Sequence, residues 1–345
     1  MQRLEDNMKS GIMSLGYYVP RQRVRVADIA EVWGKRSHEI ERSLGVTEKA
    51  VATAAEDSLT MAYESSNMAL AHIQTKIDML LFGTESPPYA VNPASTILGE
   101  LLGIGNQYLA YDTQFACKAA TGALISALGM VDSGSISGAL VVASDKATGK
   151  PHDALEYTAA SGSVSVVVGV TDCIYQVEAW ESYSSDTPDF WRREGIKYPS
   201  HGGRFTGKPS YFKHIQGSVL TLLSKTGYKA SDFDHVVFHM PNGKFPVQIA
   251  KQLGFSNEQL YHSLVVKELG NSYTASALMG LVAVSDVVLP GKRILLASYG
   301  SGAGSDAFVL RATKHITNRR PQFNTVFKNK IYIEYPEYLK SMRII

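Results

Sequence analysis

The chain has 345 residues, 45% of them hydrophobic, so it can bury a large core and is not a disordered protein. Its 34 basic and 32 acidic residues give a formal net charge of +2, which argues against nucleic acid as a partner. No apolar run is long enough to cross a membrane, and the chain begins without an apolar targeting segment. We therefore expect a cytoplasmic protein without a membrane partner, whose first seven residues lie outside the fold.

The cysteines and histidines limit the chemistry that the chain can perform. Cys117 and Cys173 are the only two cysteines, which excludes a disulfide framework and suits a reducing compartment. The nine histidines show no paired metal-ligand spacing, so we expect no metal site. Cys173 stands in a strand-like run without activating neighbours and is expected to be a buried structural residue.

Cys117 differs from Cys173 because it follows a strand-like run and precedes a helix-like one. The positive end of a helix dipole lies at such a position and favours a thiolate. A thiolate is the species that attacks a thioester carbon. A small buried hydrophobe is the commoner role of a cysteine in general, so the rest of the chain has to support the nucleophile.

An internal repeat decides the predicted architecture. Each half has a short buried strand, a helix-like stretch, a polar residue before an apolar helix, a second buried strand, and a small-residue turn with a final strand. These units begin at residues 78, 93, 117, 138 and 159 in the first half and at 234, 245, 271, 293 and 300 in the second. Strands that alternate with helices predict an α/β fold with mostly parallel, covered sheets. The matching loops should meet at a shared seam.

Three further polar residues belong to this repeat. Glu85 follows a buried strand, and a carboxylate near apolar walls gains proton affinity, which suits a base. His239 ends a strand-like run and can polarise a carbonyl oxygen and supply a proton. Asn271 can hold a carbonyl oxygen through its amide, or cap a helix, or do both. Taken singly, the first two have the ordinary alternatives of a solvated glutamate and a structural histidine.

Six segments together carry a resemblance to the thiolase superfamily and, within it, to the archaeal type of 3-hydroxy-3-methylglutaryl-CoA (HMG-CoA) synthase. They are GTESPPYAVNP at 83–93, FACKA at 115–119, DALEYTA at 153–159, YPSHGGRFT at 198–206, FHMPNGK at 238–244 and GSGAGSD at 300–306. The similarity runs from about residue 11 to residue 312. It implies a five-layered αβαβα fold of two pseudo-repeated halves, for which we predict the bounds 8–172 and 173–345.

The resemblance also implies an acyltransferase. In the expected reaction, acetyl-CoA acylates Cys117, and the acetyl group condenses with acetoacetyl-CoA and water to give HMG-CoA and CoA for the mevalonate route to isoprenoids. The implied catalytic residues are Glu85 as the base, Cys117, and His239 at the ketone oxygen. The implied substrate-binding residues are Thr158, Thr206, Asn271 and Ser301. Coenzyme A thioesters are substrates here, and no cofactor is expected.

An insertion at about 184–215 has no counterpart in the first half and is a candidate lid over the seam. Residues 190–214 carry six lysines and arginines against one acid, interleaved with aromatic residues. Such cations suit the phosphates of coenzyme A, and we predict Arg204 and Lys208 as contacts. Lys244, just beyond the His239 turn, is a third candidate. The alternative is a basic surface loop.

Three other functions fit parts of the pattern. A biosynthetic thiolase needs a second catalytic cysteine near the closing glycine turn, which residues 300–304 lack. A type III ketoacyl synthase would use Cys117, His239 and Asn271 for decarboxylative condensation without Glu85, so turnover of malonyl thioesters would identify it. A non-catalytic scaffold in an acyl-CoA assembly would not need these reactive residues.

The expected partners are the two CoA thioesters and other protein subunits. A homodimer or a higher oligomer is expected. The family resemblance implies a complex with acetoacetyl-CoA thiolase and a small zinc-bearing OB-fold protein.

Overall fold

The computed structural model describes residues 9–345, except for the side chains of residues 204 and 205. The prediction that the first seven residues lie outside the fold concerns positions outside this described range. No helix within the described range has the length and apolar character that crossing a membrane requires.

Most strands are short, and most of those in the large sheet are almost entirely buried. The strands of the described residues are β1 (Gly11–Tyr18), β2 (Gln22–Arg25), β3 (Glu48–Val51), β4 (Met79–Gly83), β5 (Leu109–Thr113), β6 (Ala139–Lys146), β7 (Ser161–Gly169), β8 (Tyr175–Ser184), β9 (Phe190–Trp191), β10 (Ser200–His201), β11 (His235–Phe238), β12 (Arg293–Ala297), β13 (Gly304–Ala312) and β14 (Ile331–Tyr332).

The helices fall between these strands. The α-helices of the described residues are α1 (Val26–Val32), α2 (Ser37–Leu44), α3 (Ser58–Leu70), α4 (Ala94–Leu101), α5 (Ala119–Asp132), α6 (Lys213–Thr226), α7 (Phe245–Gln252), α8 (Asn257–Tyr261), α9 (Val266–Leu269), α10 (Ser276–Ser285) and α11 (Tyr335–Ser341). Shorter helical turns include Ala154–Tyr157, Gly203–Thr206 and Tyr273–Ala275, and a π-helix spans Gly207–Phe212.

Within residues 9–345, nine strands form one sheet in the order β11-β12-β13-β8-β1-β7-β6-β4-β5. The order is nearly symmetric about β8 and β1, because β11, β12 and β13 occupy the places that β4, β6 and β7 occupy in the first half. The two half-sheets are joined where Gly11 pairs with Gln176 and Ile12 pairs with Tyr175. The repeat predicted from the sequence is therefore present in the structure.

The prediction of mostly parallel sheets is wrong. Within this sheet, β4 is parallel to β5 and β6, and β11 is parallel to β12, whereas the other neighbouring pairs are antiparallel. Continuous apolar runs show that both faces of a strand are covered, but they carry no information about strand direction. The final strand of each half, β7 or β13, returns antiparallel to the strand before it.

Three apolar clusters fill the spaces between five layers of structure. The central cluster contains α5 and α10 residues and one face of both half-sheets, such as Leu81, Val141 and Leu296. Alternate strand residues, such as Leu80 and Phe82, face the outer helices α3 and α4. A third cluster joins α6, α7 and α8 to the opposite face of β11–β13. The layers therefore run helix, sheet, helix, sheet, helix, which confirms the predicted thiolase-like fold.

The sequence of the central helices explains their place in the middle layer. Both α5 and α10 consist mostly of small and aliphatic residues, and almost every residue of α10 is buried. A helix that is apolar on all sides is stable only when it is covered on all sides. The outer helix α3 instead begins with a capping box, in which Asp57 accepts the backbone N–H of Thr60.

Two segments leave this layered plan. Residues 185–212, within the predicted insertion, carry the β9–β10 hairpin and the π-helix. The C-terminal segment returns to the first half, because β14 pairs with β2, and Tyr335 of α11 donates a hydrogen bond to Glu156. This segment lies within the predicted second half, 173–345, and packs it against the first half.

Candidate active site

The nucleophile turn, residues 115–118, lies between β5 and α5. Cys117 is 5% exposed and stands two residues before the first residue of α5. Ala116 has a φ of 46°, a left-handed conformation that turns the chain sharply before the cysteine. The predicted position of Cys117 at a helix start is therefore present in the structure.

Glu85 lies near Cys117, at the beginning of the loop that follows β4. Asp145 holds this loop, since one of its carboxylate oxygens accepts the backbone N–H of Glu85 at 2.7 Å and the hydroxyls of Thr84 and Ser86 at 2.9 Å and 2.7 Å. The other oxygen accepts the backbone N–H of Thr274, in the second half, at 3.0 Å. A single buried carboxylate thus fixes both sides of the seam.

The electrostatics of Glu85 suit a base that holds a proton at neutral pH. Burial raises the pKa of Glu85 to about 8, and the charge of Asp145 adds to this effect, while a hydrogen bond with Cys117 opposes it. Glu85 Oε1 is buried and has no hydrogen-bond partner among the described residues. This oxygen is free to meet a substrate group.

The expectation that the helix start favours a Cys117 thiolate is wrong for this structure. Burial raises the pKa of the Cys117 thiol well above its usual value, and Glu85 raises it further through its charge and a hydrogen bond. The helix dipole is a smaller effect than desolvation beside a carboxylate. The thiol is therefore protonated, and its proton must move to a base when the sulfur reacts.

His239 stands directly after β11, the counterpart of β4, and is 1% exposed. Its backbone is held on both sides, by a hydrogen bond to Ala297 at 2.9 Å and by the Tyr211 hydroxyl, which donates to the His239 carbonyl at 2.7 Å. Burial lowers the pKa of His239 to about 3, so the imidazole is neutral. Its Nδ1 is buried without a hydrogen-bond partner among the described residues.

Asn271 and Thr158 meet across the two halves. The backbone N–H of Asn271 donates to the Thr158 carbonyl at 2.7 Å, and the Asn271 carbonyl accepts from Ala160 at 2.9 Å. The Asn271 side-chain oxygen accepts the backbone N–H of Tyr273 at 3.0 Å. Its amide nitrogen is thereby turned away from this contact and can donate to a ligand.

A cavity of about 1010 Å³ opens at the seam, at the upper end of the range of small-molecule sites. Glu85 and the Phe115–Ala116 part of the nucleophile turn line it from the first half, and Tyr273 and Ser301 line it from the second. Cys117 packs against Tyr273 and Phe190 in a small apolar cluster. The structure therefore brings Glu85, Cys117 and Ser301 together, whereas His239, Asn271 and Thr158 are not part of the cavity wall.

The predicted coenzyme A cations lie elsewhere. Lys208 and Lys244 are exposed and do not line this cavity, and neither does Thr206, whose hydroxyl donates to the Gly203 carbonyl at 2.9 Å. The side chain of Arg204 lies outside the described residues. The cavity wall carries other cations, of which Arg192 reaches the Glu85 carbonyl at 3.1 Å. The wall cations are Lys146, Arg192, Lys197 and Arg343.

Sequence reasoning missed two residues of the site. Asp145 is the penultimate residue of β6, and its only sequence signal is a carboxylate near the end of a strand, as for Glu85. Tyr273 has a φ of 48°, and its pKa lies well above the usual value because the hydroxyl is buried and lies near the Glu85 carboxyl. No pattern singled out this tyrosine, because its neighbours are distant in sequence. Among the described residues, no group of three His, Cys, Asp or Glu side chains is placed to hold a metal ion.

Comparison with known proteins agrees with this geometry. Residues 223–312 match the model of the 3-oxoacyl-[acyl-carrier-protein] synthase III C-terminal family. The fold is similar to a crystal structure of an HMG-CoA synthase complexed with CoA, with a TM-score of 0.90, 25% identity, and coverage of 97% of this chain and 90% of the other. It is also similar to 3-oxoacyl-(acyl carrier protein) synthase III from Pseudomonas aeruginosa, with a TM-score of 0.81, 21% identity, and coverage of 88% and 98%.

Full-length sequence relatives are more specific. Hydroxymethylglutaryl-CoA synthase of Archaeoglobus fulgidus is 49% identical over 340 residues, which cover 97% of this chain and 99% of that protein. The enzyme of the same name from Methanothermobacter thermautotrophicus is 45% identical over 337 residues, with coverage of 96% and 97%. At this identity and coverage, the chain belongs to the hydroxymethylglutaryl-CoA synthase family.

Proposed function

We propose that Cys117, Glu85 and His239 carry the reaction of this family in the seam cavity. The enzyme condenses acetyl-CoA with acetoacetyl-CoA and water to give HMG-CoA and free CoA. The observation that carries the residue assignment is that the Cys117 thiol and the Glu85 carboxyl are close enough for each to shift the pKa of the other, with Glu85 in the cavity wall. A nucleophile and a base that are neighbours can act on the same two-carbon unit.

The first step is acyl transfer to Cys117. Because the thiol is protonated, its proton passes to a neighbouring base while the sulfur attacks the thioester carbon of acetyl-CoA. The carbon–sulfur bond to CoA breaks, and the CoA thiolate leaves and takes up a proton. Backbone N–H groups of Cys117 and of the turn around Ser301 are suited to hold the oxyanion of this step.

The second step forms the new carbon–carbon bond. The Glu85 carboxylate removes a proton from the methyl group of acetyl-Cys117, and the resulting carbanion adds to the ketone carbon of acetoacetyl-CoA. His239 donates a hydrogen bond to the ketone oxygen as a neutral imidazole, since burial prevents it from holding a second proton. The alkoxide that forms on this oxygen takes up the proton that Glu85 removed from the methyl group, which gives the tertiary hydroxyl and returns Glu85 to its carboxylate form. Water then cleaves the thioester to Cys117, which releases HMG-CoA and restores the thiol.

The remaining site residues are assigned to substrate binding. Asn271 offers its amide nitrogen, with Thr158 beside it, and Ser301 lies in the cavity wall. Thr206, Lys208 and Lys244 lie outside the cavity wall, and we assign them, together with Arg204, to the distal part of coenzyme A. This is compatible with the length of the molecule, because its phosphates lie at the far end of the pantetheine arm from the reacting sulfur.

Labelling of Cys117 tests the assignment. Wild-type protein treated with acetyl-CoA should gain one acetyl group in an intact-mass measurement, and Cys117→Ala should gain none. Cys173→Ala serves as the matched control, because Cys173 is also buried and unpaired, and it should still be acetylated. An equal adduct on Cys117→Ala would exclude Cys117 as the acetylated residue.

The residues next to Cys117 distinguish this chain from a decarboxylating synthase, with which it shares its fold. A carbanion made by loss of carbon dioxide needs no carboxylate base, whereas here the Glu85 carboxyl is near enough to the thiol for the two groups to shift each other's pKa. The enzyme should therefore leave malonyl thioesters unused in the presence of acetyl-CoA. Rapid release of carbon dioxide from malonyl-CoA would favour the type III ketoacyl synthase chemistry.

We also propose a homodimer that forms through β5. This strand is the edge of the sheet, and its residues are exposed or half-exposed, with Leu109 at 47% and Tyr111 at 37%. An apolar edge strand with free backbone groups is suited to pairing with a second copy. The proposal also includes a complex with a thiolase and an OB-fold protein. It divides the chain into two halves with the bounds 8–172 and 173–345. It places the protein in the cytoplasm, a reducing compartment to which two unpaired cysteines are suited.

A further inference from the structure

A buried ion pair lies directly behind the nucleophile. The Lys118 ammonium contacts the Asp306 carboxylate at 2.7 Å, and the two side chains are 5% and 0% exposed. Lys118 follows Cys117 and is the N-cap residue of α5, while Asp306 lies in β13 of the second half. The pair therefore joins the nucleophile turn to the opposite half across the seam.

The Asp306 carboxylate accepts hydrogen bonds from three side-chain donors. Besides Lys118, it accepts hydrogen bonds from the Ser182 hydroxyl on β8 at 2.6 Å and from the Thr121 hydroxyl on α5 at 2.7 Å. The Thr121 hydroxyl also lies 2.7 Å from that of Ser298, at the end of β12. A buried carboxylate with this many donors has one well-defined position.

Lys118 also contacts the cavity wall. Its ammonium lies 4.1 Å from the centre of the Phe115 ring, which faces the cavity two residues before Cys117. The glycine turn that carries Ser301 is pressed against the same segment, since a Cβ on Gly300 would lie 2.7 Å from the Phe115 carbonyl and 2.9 Å from Lys118 Cγ. The nucleophile turn and the Ser301 turn are therefore packed too closely for one to move without the other.

We propose that Lys118 and Asp306 are positioning residues, which hold Cys117 in register with the Ser301 turn so that the thiol and the oxyanion-binding N–H groups face one acetyl group. The inference rests on the proposed function of Cys117. Neither residue touches the reacting atoms, and both act through the backbone of the nucleophile turn. A displacement of about 1 Å at a reacting group can lower a rate roughly 100-fold, so a pair that prevents it affects catalysis more than affinity.

The test compares acetylation rates of Cys117 in single-turnover experiments. Lys118→Met keeps the length of the side chain and removes its charge, and it should lower the acetylation rate by roughly 10- to 100-fold while the KM for acetyl-CoA stays within about twofold. Lys118→Arg keeps the cation and should recover most of the rate. The rate of Cys117 alkylation by iodoacetamide should also change in Lys118→Met, because this readout needs no substrate site.

Glu48→Gln is the matched control. Glu48 is a buried carboxylate on β3, outside the cavity wall, and it forms an ion pair with Lys330 at 2.6 Å. This variant should lose thermal stability but keep its acetylation rate. Should Lys118→Met fail to fold, Lys118→Gln, which keeps a hydrogen-bond donor, takes its place in the same comparison.

The outcomes separate the two proposals. If wild-type Cys117 is acetylated and Lys118→Met matches it in both acetylation and alkylation rates, the positioning role is wrong and the function stands. A loss of acetylation rate in Glu48→Gln equal to that in Lys118→Met would also overturn the positioning role, since a general loss of stability would then explain both rate losses. Absence of any acetyl adduct on wild-type Cys117 would instead overturn the proposed function.

Discussion

Asp145 accepts the backbone N–H of Glu85 at 2.7 Å, so one buried carboxylate positions the loop of another and raises its pKa. The pKa of Glu85 is about 8 as a result of burial and this charge. Both effects come from the packing of residues that are 60 positions apart in sequence. They convert a loop glutamate into a group that can hold and release a proton near neutral pH.

The first prediction separates acylation from condensation. Glu85→Gln keeps the size of the side chain but removes its basicity, so acetylation of Cys117 should persist while condensation with acetoacetyl-CoA falls by roughly two to four orders of magnitude. Rapid-quench measurements on preformed acetyl-enzyme report the second step alone. Asp186→Asn, a carboxylate elsewhere in the cavity wall, is the control and should condense normally. Near-normal condensation by Glu85→Gln would assign the base to another residue.

The second prediction concerns pH. Glu85 acts as a base only when it is ionised, and its pKa of about 8 leaves most of it protonated at pH 7. The condensation rate of preformed acetyl-enzyme should therefore rise roughly tenfold per pH unit below the pKa and level off above it. Asp145→Asn removes the neighbouring charge and should move the midpoint to lower pH. A rate that is independent of pH across this range would contradict the assignment.

The raised pKa of Glu85 also makes the stability of the folded protein depend on pH, in the opposite direction to the condensation rate. The pKa of Glu85 is higher in the folded protein than the ordinary glutamate value of 4.5, so folding takes up a proton when the pH lies between 4.5 and about 8. The contribution of Glu85 to stability is greatest below pH 4.5 and is lost as the pH rises through about 8. Glu85→Gln should therefore flatten the decline in melting temperature over this interval, as measured by calorimetry at matched ionic strength.

The third prediction tests the coenzyme A cations. Lys208→Ala should raise the KM for acetyl-CoA severalfold and change kcat little, because a phosphate contact contributes to binding in the ground state and the transition state alike. Lys251→Ala, an exposed lysine of α7, is the control and should leave both constants unchanged. If Lys208→Ala also leaves KM unchanged, the segment is a basic surface loop.

The fourth prediction concerns the oligomer. Leu109→Asp places a charge on the exposed edge strand β5 and should convert a dimer into a monomer in sedimentation-velocity experiments. Leu220→Asp on α6 is the control, since Leu220 is similarly exposed, at 53%, outside the sheet edge. A dimer that persists in Leu109→Asp would place the interface elsewhere.

The repeat made most of the fold predictable from sequence. Apolar runs and helix-like stretches recur in the same order in both halves. The strands β4, β6, β11 and β12 lie at the positions of these apolar runs. Strand direction was not predictable, because a run such as that of β7 reads the same whether its neighbour is parallel or antiparallel. The return of α11 to the first half has no local signal, since the contact of Tyr335 with Glu156 spans 179 positions.

For the site, the sequence by itself determined which residues are candidates for the reaction and on which local features of the chain they lie. Cys117 before a helix and Glu85 after a strand are local features, which short segments are sufficient to encode. Only the tertiary structure decided their protonation, because a pKa depends on burial and on charges such as Asp145 that arrive from elsewhere in the chain. The same holds for Lys118, whose partner Asp306 lies 188 positions away. Proximity of this kind exists only once the two halves have packed together.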